Sequence, residues 1–170
     1  MYYLGATDNW INLSTSNPTF NRNIPVANQE QYAFQALATN MRGFSQNIRN
    51  GNSFCVFNNE LRLPLFTVLY NRPLRSDFLS NFQVIGFYDV GTAWTGISPF
   101  GYGNIYNSEI ISAYPVSVTI KKDRQPFVTG YGWGLRSRLF GYFIRLDWAW
   151  GQDDGEQKPR IFYLSLATDF

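Results

Sequence analysis

The fold is decided by residues 128–150, which read VTGYGWGLRSRLFGYFIRLDWAW. Bulky side chains stand at every second position of the first half, and the positions between them carry glycine and then arginine. After Phe140-Gly141 the alternation resumes and continues to Trp150. Successive side chains of a β-strand point to opposite faces, so this period of two predicts two antiparallel strands joined by a tight turn.

Three other segments alternate in the same way, at residues 54–64, 83–94 and 161–170. Together with the first pair they predict at least five long amphipathic strands and an all-β, antiparallel fold. The first third of the chain is instead rich in Asn, Ser and Thr, which is typical of loops. Residues 32–38 are ambiguous, because they fit either one or two helical turns or a short strand.

The composition excludes several classes of protein. The chain has 170 residues and a mass of 19.6 kDa, which suits a single domain. It contains no His and a single cysteine, Cys55, so a His-dependent catalytic set, an internal disulfide and a thiolate metal cluster are all excluded. The net charge of +2 gives no reason to expect a nucleic-acid partner.

The balance of charged and aromatic residues favours a membrane protein. Charged residues make up 15% of the chain, against about 25% in soluble domains, and aromatic residues make up 18%. No apolar run is long enough for a transmembrane helix, and the mean hydropathy is only −0.24. The apolar residues are therefore spread by alternation, as in a transmembrane β-barrel whose outer face meets lipid. A soluble sandwich with the aromatic residues in its core is the alternative.

Charged side chains on the predicted strands share one parity, opposite to the bulky apolar residues. They are Glu60, Arg62, Arg136, Arg138, Arg145 and Asp147. An arginine that faced lipid at the middle of a bilayer would cost about 2–4 kcal/mol. The shared parity therefore predicts that this face lines a wet lumen.

Four short motifs follow one another along the chain. Residues 41–44 read MRGF, residues 59–62 read NELR and residues 87–91 read FYDVG. The chain ends in apolar residues at alternate positions before a final aromatic: Phe162, Leu164, Leu166 and Phe170. In content and order these motifs resemble those of the BamA-type outer-membrane insertases, the bacterial surface antigen family, with Met41 in place of the usual Val.

The resemblance implies that residues 54–170 are the last five strands of a sixteen-stranded barrel and that residues 1–53 belong to its sixth external loop. Five strands cannot close in lipid, because each unpaired backbone group at a sheet edge costs several kcal/mol. A fragment of a larger chain is therefore expected, and the absence of a basic or apolar signal segment after Met1 fits this expectation. The alternative is an eight-stranded barrel that uses residues 1–12, 30–40 and 110–120 as extra strands.

The resemblance also implies a contact between Arg42 and Asp89, because the loop of this family folds into the lumen and its arginine meets the aspartate of the wall. Asp89 has the inward parity together with Gly91, which leaves room for an incoming loop. Arginine stays charged and offers a planar fork of donors to a carboxylate. Gly43 allows a sharp turn at the loop tip, and Phe44 supplies an apolar anchor. An exposed Arg-Gly turn beside an unrelated strand aspartate is the alternative.

No residues form a catalytic set, so we expect no enzymatic activity, no cofactor and no metal. Asp153, Asp154 and Glu156 fit a solvated loop better than a Ca²⁺ site. The leading interpretation is a bacterial outer-membrane protein that assembles, inserts or translocates outer-membrane or surface proteins. Its partners would be the lipid bilayer, unfolded outer-membrane clients and periplasmic assembly proteins. A passive pore, receptor or adhesin is the alternative, and the lack of His disfavours a barrel enzyme.

Overall fold

Strands make up most of the secondary structure. The computed structural model describes residues 1–5, 36–70, 76–102, 104, 106–113, 115–122 and 124–168. Its strands are β1 (Tyr2–Gly5), β2 (Ala36–Asn40), β3 (Arg49–Gly51), β4 (Ser53–Pro64), β5 (Gln83–Trp94), β6 (Ser108–Ala113), β7 (Val116–Lys121), β8 (Val128–Leu139), β9 (Tyr142–Asp153), β10 (Glu156–Gln157) and β11 (Ile161–Thr168). Two short helices, α1 (Leu65–Leu69) and α2 (Asp77–Ser80), lie between β4 and β5. Neither helix is long and apolar enough to span a bilayer.

Five strands form one antiparallel sheet in the order β4-β5-β8-β9-β11, and β10 pairs with the end of β9. The predicted all-β, antiparallel fold is therefore confirmed. Strands β4 and β11 are the two edges of this sheet, and no pairing joins them in the part of the chain that the structure describes. The closed barrel and its sixteen strands stay predictions.

The register divides the sheet into two chemically different faces, because residues that pair directly across antiparallel strands share a face. The inner face, as we call it, carries glycines and charged residues, among them Glu60, Asp89, Gly130, Gly132, Arg136, Arg145, Asp147 and Gly151. The outer face carries large apolar residues, among them Phe57, Leu61, Tyr88, Tyr131, Trp133, Trp148, Trp150 and Phe162.

Aromatic pairs run across the outer face. The rings of Trp133 and Trp148 stack with centroids 4.3 Å apart, and Trp148 meets Phe162 at 5.0 Å. Side chains on the same face stay open to the surroundings, with Phe57 62% exposed and Leu61 65% exposed. Among the described residues no second sheet packs on this face, so they do not form the core of a sandwich.

The hydrophobic core lies on the inner face instead. Its buried members are Leu4, Met41, Phe44, Ile48, Ala93 and Val128. Three of these side chains come from residues 41–48, which cross the sheet between β2 and β3. The core therefore forms between the sheet and the segment that precedes it in the chain.

The region predicted to be a loop contains a small sheet of its own. Strand β1 pairs in parallel with β2 and antiparallel with β3. Part of the ambiguous segment 32–38 is thus strand, since β2 begins at Ala36, and residues 32–35 lie outside the described residues. A parallel pairing of two strands more than thirty residues apart in sequence leaves no local periodic signal.

Two connections carry structure that the alternation did not predict. The hairpin β6–β7 lies within the long connection between β5 and β8. In the connection between β4 and β5, helix α2 contacts the outer face of β8, where the Ser137 hydroxyl donates to the carbonyl of Phe78 in α2 at 2.8 Å. Strands β1, β2, β6 and β7 belong to two smaller sheets. They therefore do not extend the main sheet in the way that an eight-stranded barrel would require.

Glycines on the inner face make room for the segment that crosses it. A Cβ atom at Gly130 would lie 2.0 Å from the carbonyl oxygen of Arg42, and one at Gly151 would lie 2.5 Å from that of Gly43. At Gly91 a Cβ would lie 2.9 Å from the Met41 sulfur. Only glycine therefore allows the crossing backbone to lie directly on β8 and β9.

We expect Gly130→Ala to destabilise the protein by about 1–3 kcal/mol, because the added methyl group meets a backbone oxygen that cannot rotate away. The matched control is Gly86→Ala on the outer face, where the new Cβ would have no neighbour within 4 Å. That change should alter the free energy of unfolding by less than about 0.5 kcal/mol. Urea titration followed by tryptophan fluorescence measures both values, and equal effects would contradict this packing.

Candidate functional site

The candidate site is built around the loop tip, which we define as residues 41–44. The tip starts where β2 ends, and the Met41 N–H donates to the carbonyl of Gly5 at 2.9 Å. Gly43 has a φ of 90°, a conformation that favours glycine, and its own Cβ would lie 2.5 Å from the carbonyl of Trp150. The tip is therefore a sharp turn whose backbone rests on β8 and β9.

The Arg42 side chain forms a two-pronged contact with Asp89 of β5. Its Nε donates to Oδ2 of Asp89 at 2.8 Å and its Nη2 donates to Oδ1 at 2.6 Å. The backbone N–H of Arg42 also donates to Oδ2 at 3.4 Å. Both residues are buried, and Asp89 is completely so. The fork of parallel charge-assisted bonds fixes the direction of the side chain as well as its distance.

Glu60 of β4 is a second carboxylate partner of Arg42. The Nη1 of Arg42 donates to Oε1 of Glu60, whose Oε2 accepts from Nη2 of Arg62 at 2.7 Å. The Arg42 guanidinium also lies 3.8 Å above the ring of Phe87. Burial opposes the charged form of Arg42, but Asp89 and then Glu60 outweigh it and raise the pKa of Arg42 above its usual value. Arg42 is thus a permanent cation shared by two strands.

Tyr163 of β11 holds the loop tip at the opposite edge of the sheet from β4, on the same inner face. Its hydroxyl accepts the Gly43 N–H at 3.1 Å and donates to the Phe44 carbonyl at 3.2 Å. The ring is buried with Phe87 and Ala149. The loop tip therefore bridges the inner face from β4, through Glu60, to β11, through Tyr163.

A second cluster of charges lies on the inner face of β8 and β9. The Nη1 and Nη2 of Arg136 donate to the two carboxylate oxygens of Asp147 at 2.5 and 3.1 Å, and Nε of Arg145 donates to Oδ2 at 3.2 Å. A cavity of about 190 Å³ lies between this cluster and the loop tip, and Arg42, Glu60, Arg145 and Asp147 contribute to its lining. Two cations and two anions line it, so the net charge of its lining is close to zero.

The structure brings together the loop and wall residues singled out by the sequence. Arg42 directly contacts both Asp89 and Glu60, and Phe44 lies in the buried core. The remaining charged residues of the predicted lumen lining, Arg62, Arg136, Arg138, Arg145 and Asp147, all lie on the inner face. Arg138 is apart from both clusters, with its guanidinium 5.6 Å from the ring of Phe143.

The C-terminal signature residues have a different environment. Phe162, Leu164 and Leu166 share the outer face of β11 with their partners on β9. Phe170 lies outside the described residues. Sequence reasoning missed Tyr163, although a large aromatic side chain beside the small Ser165 and Ala167 on the inward parity was an available signal.

The acidic residues at the end of β9 and just after it are engaged by neighbouring groups. Asp153 binds Arg49 at 2.5 Å, Asp154 accepts the Gln125 N–H at 3.3 Å, and Glu156 pairs with Lys158 at 2.6 Å. Within the described residues no group of three His, Cys, Asp or Glu side chains is arranged to hold a metal ion.

We expect Asp89→Asn to cost about 3–5 kcal/mol of stability, because it removes the main counter-charge of a buried guanidinium. Glu60→Gln should cost about 1 kcal/mol or less, since Glu60 is partly exposed and Arg42 keeps Asp89. Urea titration of the two variants measures the difference. A Glu60 variant as unstable as the Asp89 variant would show that Asp89 is not the main partner.

Comparison with known proteins gives no relative of this chain. No protein family, no curated protein and no solved structure matches it. The resemblance to the BamA-type insertases therefore rests on the motifs in the sequence. The loop tip joins two residues that those motifs single out, Arg42 and Asp89.

Proposed function

We propose that this chain is the C-terminal part of a BamA-like β-barrel protein of the bacterial outer membrane, which inserts or translocates other outer-membrane or surface proteins. One observation carries the proposal. The loop tip sits on a glycine-lined inner face with Arg42 forked onto Asp89, while the opposite face of the same strands is aromatic and exposed. In a soluble antiparallel sheet the exposed face is mostly polar, so a large exposed aromatic face favours a membrane protein.

The outer face supports the membrane part of the proposal. Along β4, β5, β8, β9 and β11 it carries no Asp, Glu, Lys or Arg. Every charged residue of these five strands lies on the inner face, from Glu60 on β4 to Asp153 on β9. Such complete segregation is what lipid on one side and water on the other require, since charge in lipid costs about 2–4 kcal/mol for Arg or Lys.

The position of the loop tip supports the insertase part of the proposal. Tyr163 ties the tip to β11, which has a neighbour on only one side among the described strands. In the complete barrel β11 would form one side of the seam between the first and last strands, and an opened seam would offer a row of backbone donors and acceptors to which an unfolded client strand can add. The loop tip would hold β11 in place until a client strand or a periplasmic assembly partner engages the barrel.

We expect neighbouring residues on β4 to meet lipid and water alternately. Leu61→Cys and Arg62→Cys, each in a Cys55→Ser background, place a spin label on the outer and the inner face respectively. In membranes the label at 61 should collide mainly with dissolved oxygen and the label at 62 mainly with a water-soluble nickel complex. If both labels meet the nickel complex equally, this face does not contact lipid.

Insertase activity is tested with the full-length protein in lipid vesicles. A urea-unfolded outer-membrane barrel is added, and its folding is followed by protease resistance. We expect folding several-fold faster than in empty vesicles. The rate should change with Tyr163→Phe, which removes the tie between the tip and β11, but not with the exposed control Glu156→Gln. A rate equal to that of empty vesicles would point instead to a passive pore, receptor or adhesin.

A further inference from the structure

A second buried arginine lies at the end of the sheet near Trp94 and Asp153. Arg49 of β3 is 4% exposed, and its Nη2 and Nη1 contact the two carboxylate oxygens of Asp153 at 2.5 and 3.4 Å. Nη1 also donates to the carbonyl of Ile48 at 2.9 Å. Arg49 is far along the chain from its carboxylate partner and plays no part in the loop-tip contacts.

Tyr106, a residue of the long connection between β5 and β8, contacts this arginine. The guanidinium of Arg49 lies 5.1 Å from the centroid of the Tyr106 ring, and the Tyr106 hydroxyl accepts the N–H of Asn50 at 2.9 Å. Tyr106 is buried, and burial raises the pKa of its hydroxyl above the usual value, so the group stays neutral. One side chain of the connection therefore makes both a ring contact and a hydrogen bond to β3.

The part of the connection around Tyr106 is held together by side-chain amides. The Asn107 amide donates to the carbonyls of Pro99 and Gly101 at 2.9 and 3.1 Å, and the Asn104 amide donates to Pro99 at 3.2 Å. Such bonds replace the backbone ladder that a loop lacks. Tyr106 thus lies between two asparagines, Asn104 and Asn107, that are hydrogen-bonded to Pro99 and Gly101. Displacement of this part of the connection would therefore displace Tyr106 as well.

The returning end of the connection reaches the same arginine. The carbonyl of Gln125 accepts from Nη2 of Arg49 at 3.4 Å, and the Gln125 N–H donates to Asp154 at 3.3 Å. Tyr106 and Gln125, from two separate parts of the connection, therefore converge on Arg49, and Gln125 also binds the turn that follows β9. This convergence links three segments that are distant in sequence.

We propose that Arg49, Asp153 and Tyr106 form a clasp that holds the connection between β5 and β8 down on the end of the sheet, and that the connection opens as one unit when the clasp is broken. The Arg49 guanidinium is the centre of the clasp, because it binds the carboxylate, the aromatic ring and the Gln125 carbonyl together. The clasp rests on these contacts alone and does not depend on the proposed insertase activity.

Deuterium uptake of the full-length protein, read by mass spectrometry, tests the clasp. Asp153→Asn leaves the buried Arg49 without its counter-charge, so amides in the connection should exchange roughly tenfold faster or more, because exchange follows the population of the open form. Amides of β5, β8 and the loop tip should keep their parent rates. The matched control is Glu156→Gln, which breaks an exposed ion pair in the same turn, with Glu156 73% exposed, and should change nothing.

Tyr106→Phe keeps the proposal testable if Asp153→Asn loosens the whole sheet. This change keeps the ring beside Arg49 but removes the acceptor of the Asn50 N–H. We expect faster exchange at Asn50 and in the connection, with the sheet unchanged. Exchange in the connection within twofold of the parent rate in Tyr106→Phe, or in an Asp153→Asn variant whose sheet is intact, would falsify the clasp.

Discussion

The arrangement of the inner face depends on one constraint, the burial of the Arg42 guanidinium. A cation removed from water must be matched by carboxylates, and Asp89 and Glu60 supply them from two adjacent strands. The guanidinium reaches both only because its own backbone lies against the sheet, where Gly130 leaves the space that any side chain would fill. The pairing of Arg42 with its two carboxylates therefore requires glycine on the inner face of β8.

The same constraint determines the register of the strands. A shift of one residue along β5 would turn Asp89 to the outer face and bring Tyr88 or Val90 against the loop tip. It would also place a charge on the outer face near the stacked rings of Tyr131 and Trp150, where these strands carry no counter-charge. The two faces differ so strongly that a shift of any of these strands by an odd number of residues is unfavourable.

The alternation of side chains predicts much of the fold because it is a local signal. The segment predicted at 54–64 is β4, Ser53–Pro64, and the segment predicted at 142–150 is β9, which continues to Asp153. The parity of each strand also separates the two faces. Local periodicity does not reveal which distant residues meet. The proximity of Arg42 and Asp89 is predicted only by the resemblance of the motifs to those of the BamA-type insertases.

Contacts between distant segments account for what the sequence did not predict. Tyr163 lies 120 residues from Gly43 and Arg49 lies 104 residues from Asp153, and neither pair belongs to a recognisable motif. The parallel β1–β2 pair also joins segments that lie more than thirty residues apart in sequence. Pairings of this kind follow from the packing of the whole chain, which a window of neighbouring residues does not contain.

The stability and the specificity of the loop tip have different sources. Met41, Phe44 and Ile48 are buried, and burial of each such side chain contributes about 1.5–3 kcal/mol. The net contribution of a buried ion pair is much smaller, because the loss of hydration offsets most of the attraction between the charges. Apolar contact alone would allow the segment to settle in several positions on the sheet. The fork from Arg42 to Asp89 and the two bonds to Tyr163 favour one of these positions, so the polar contacts select the place that the apolar contacts stabilise.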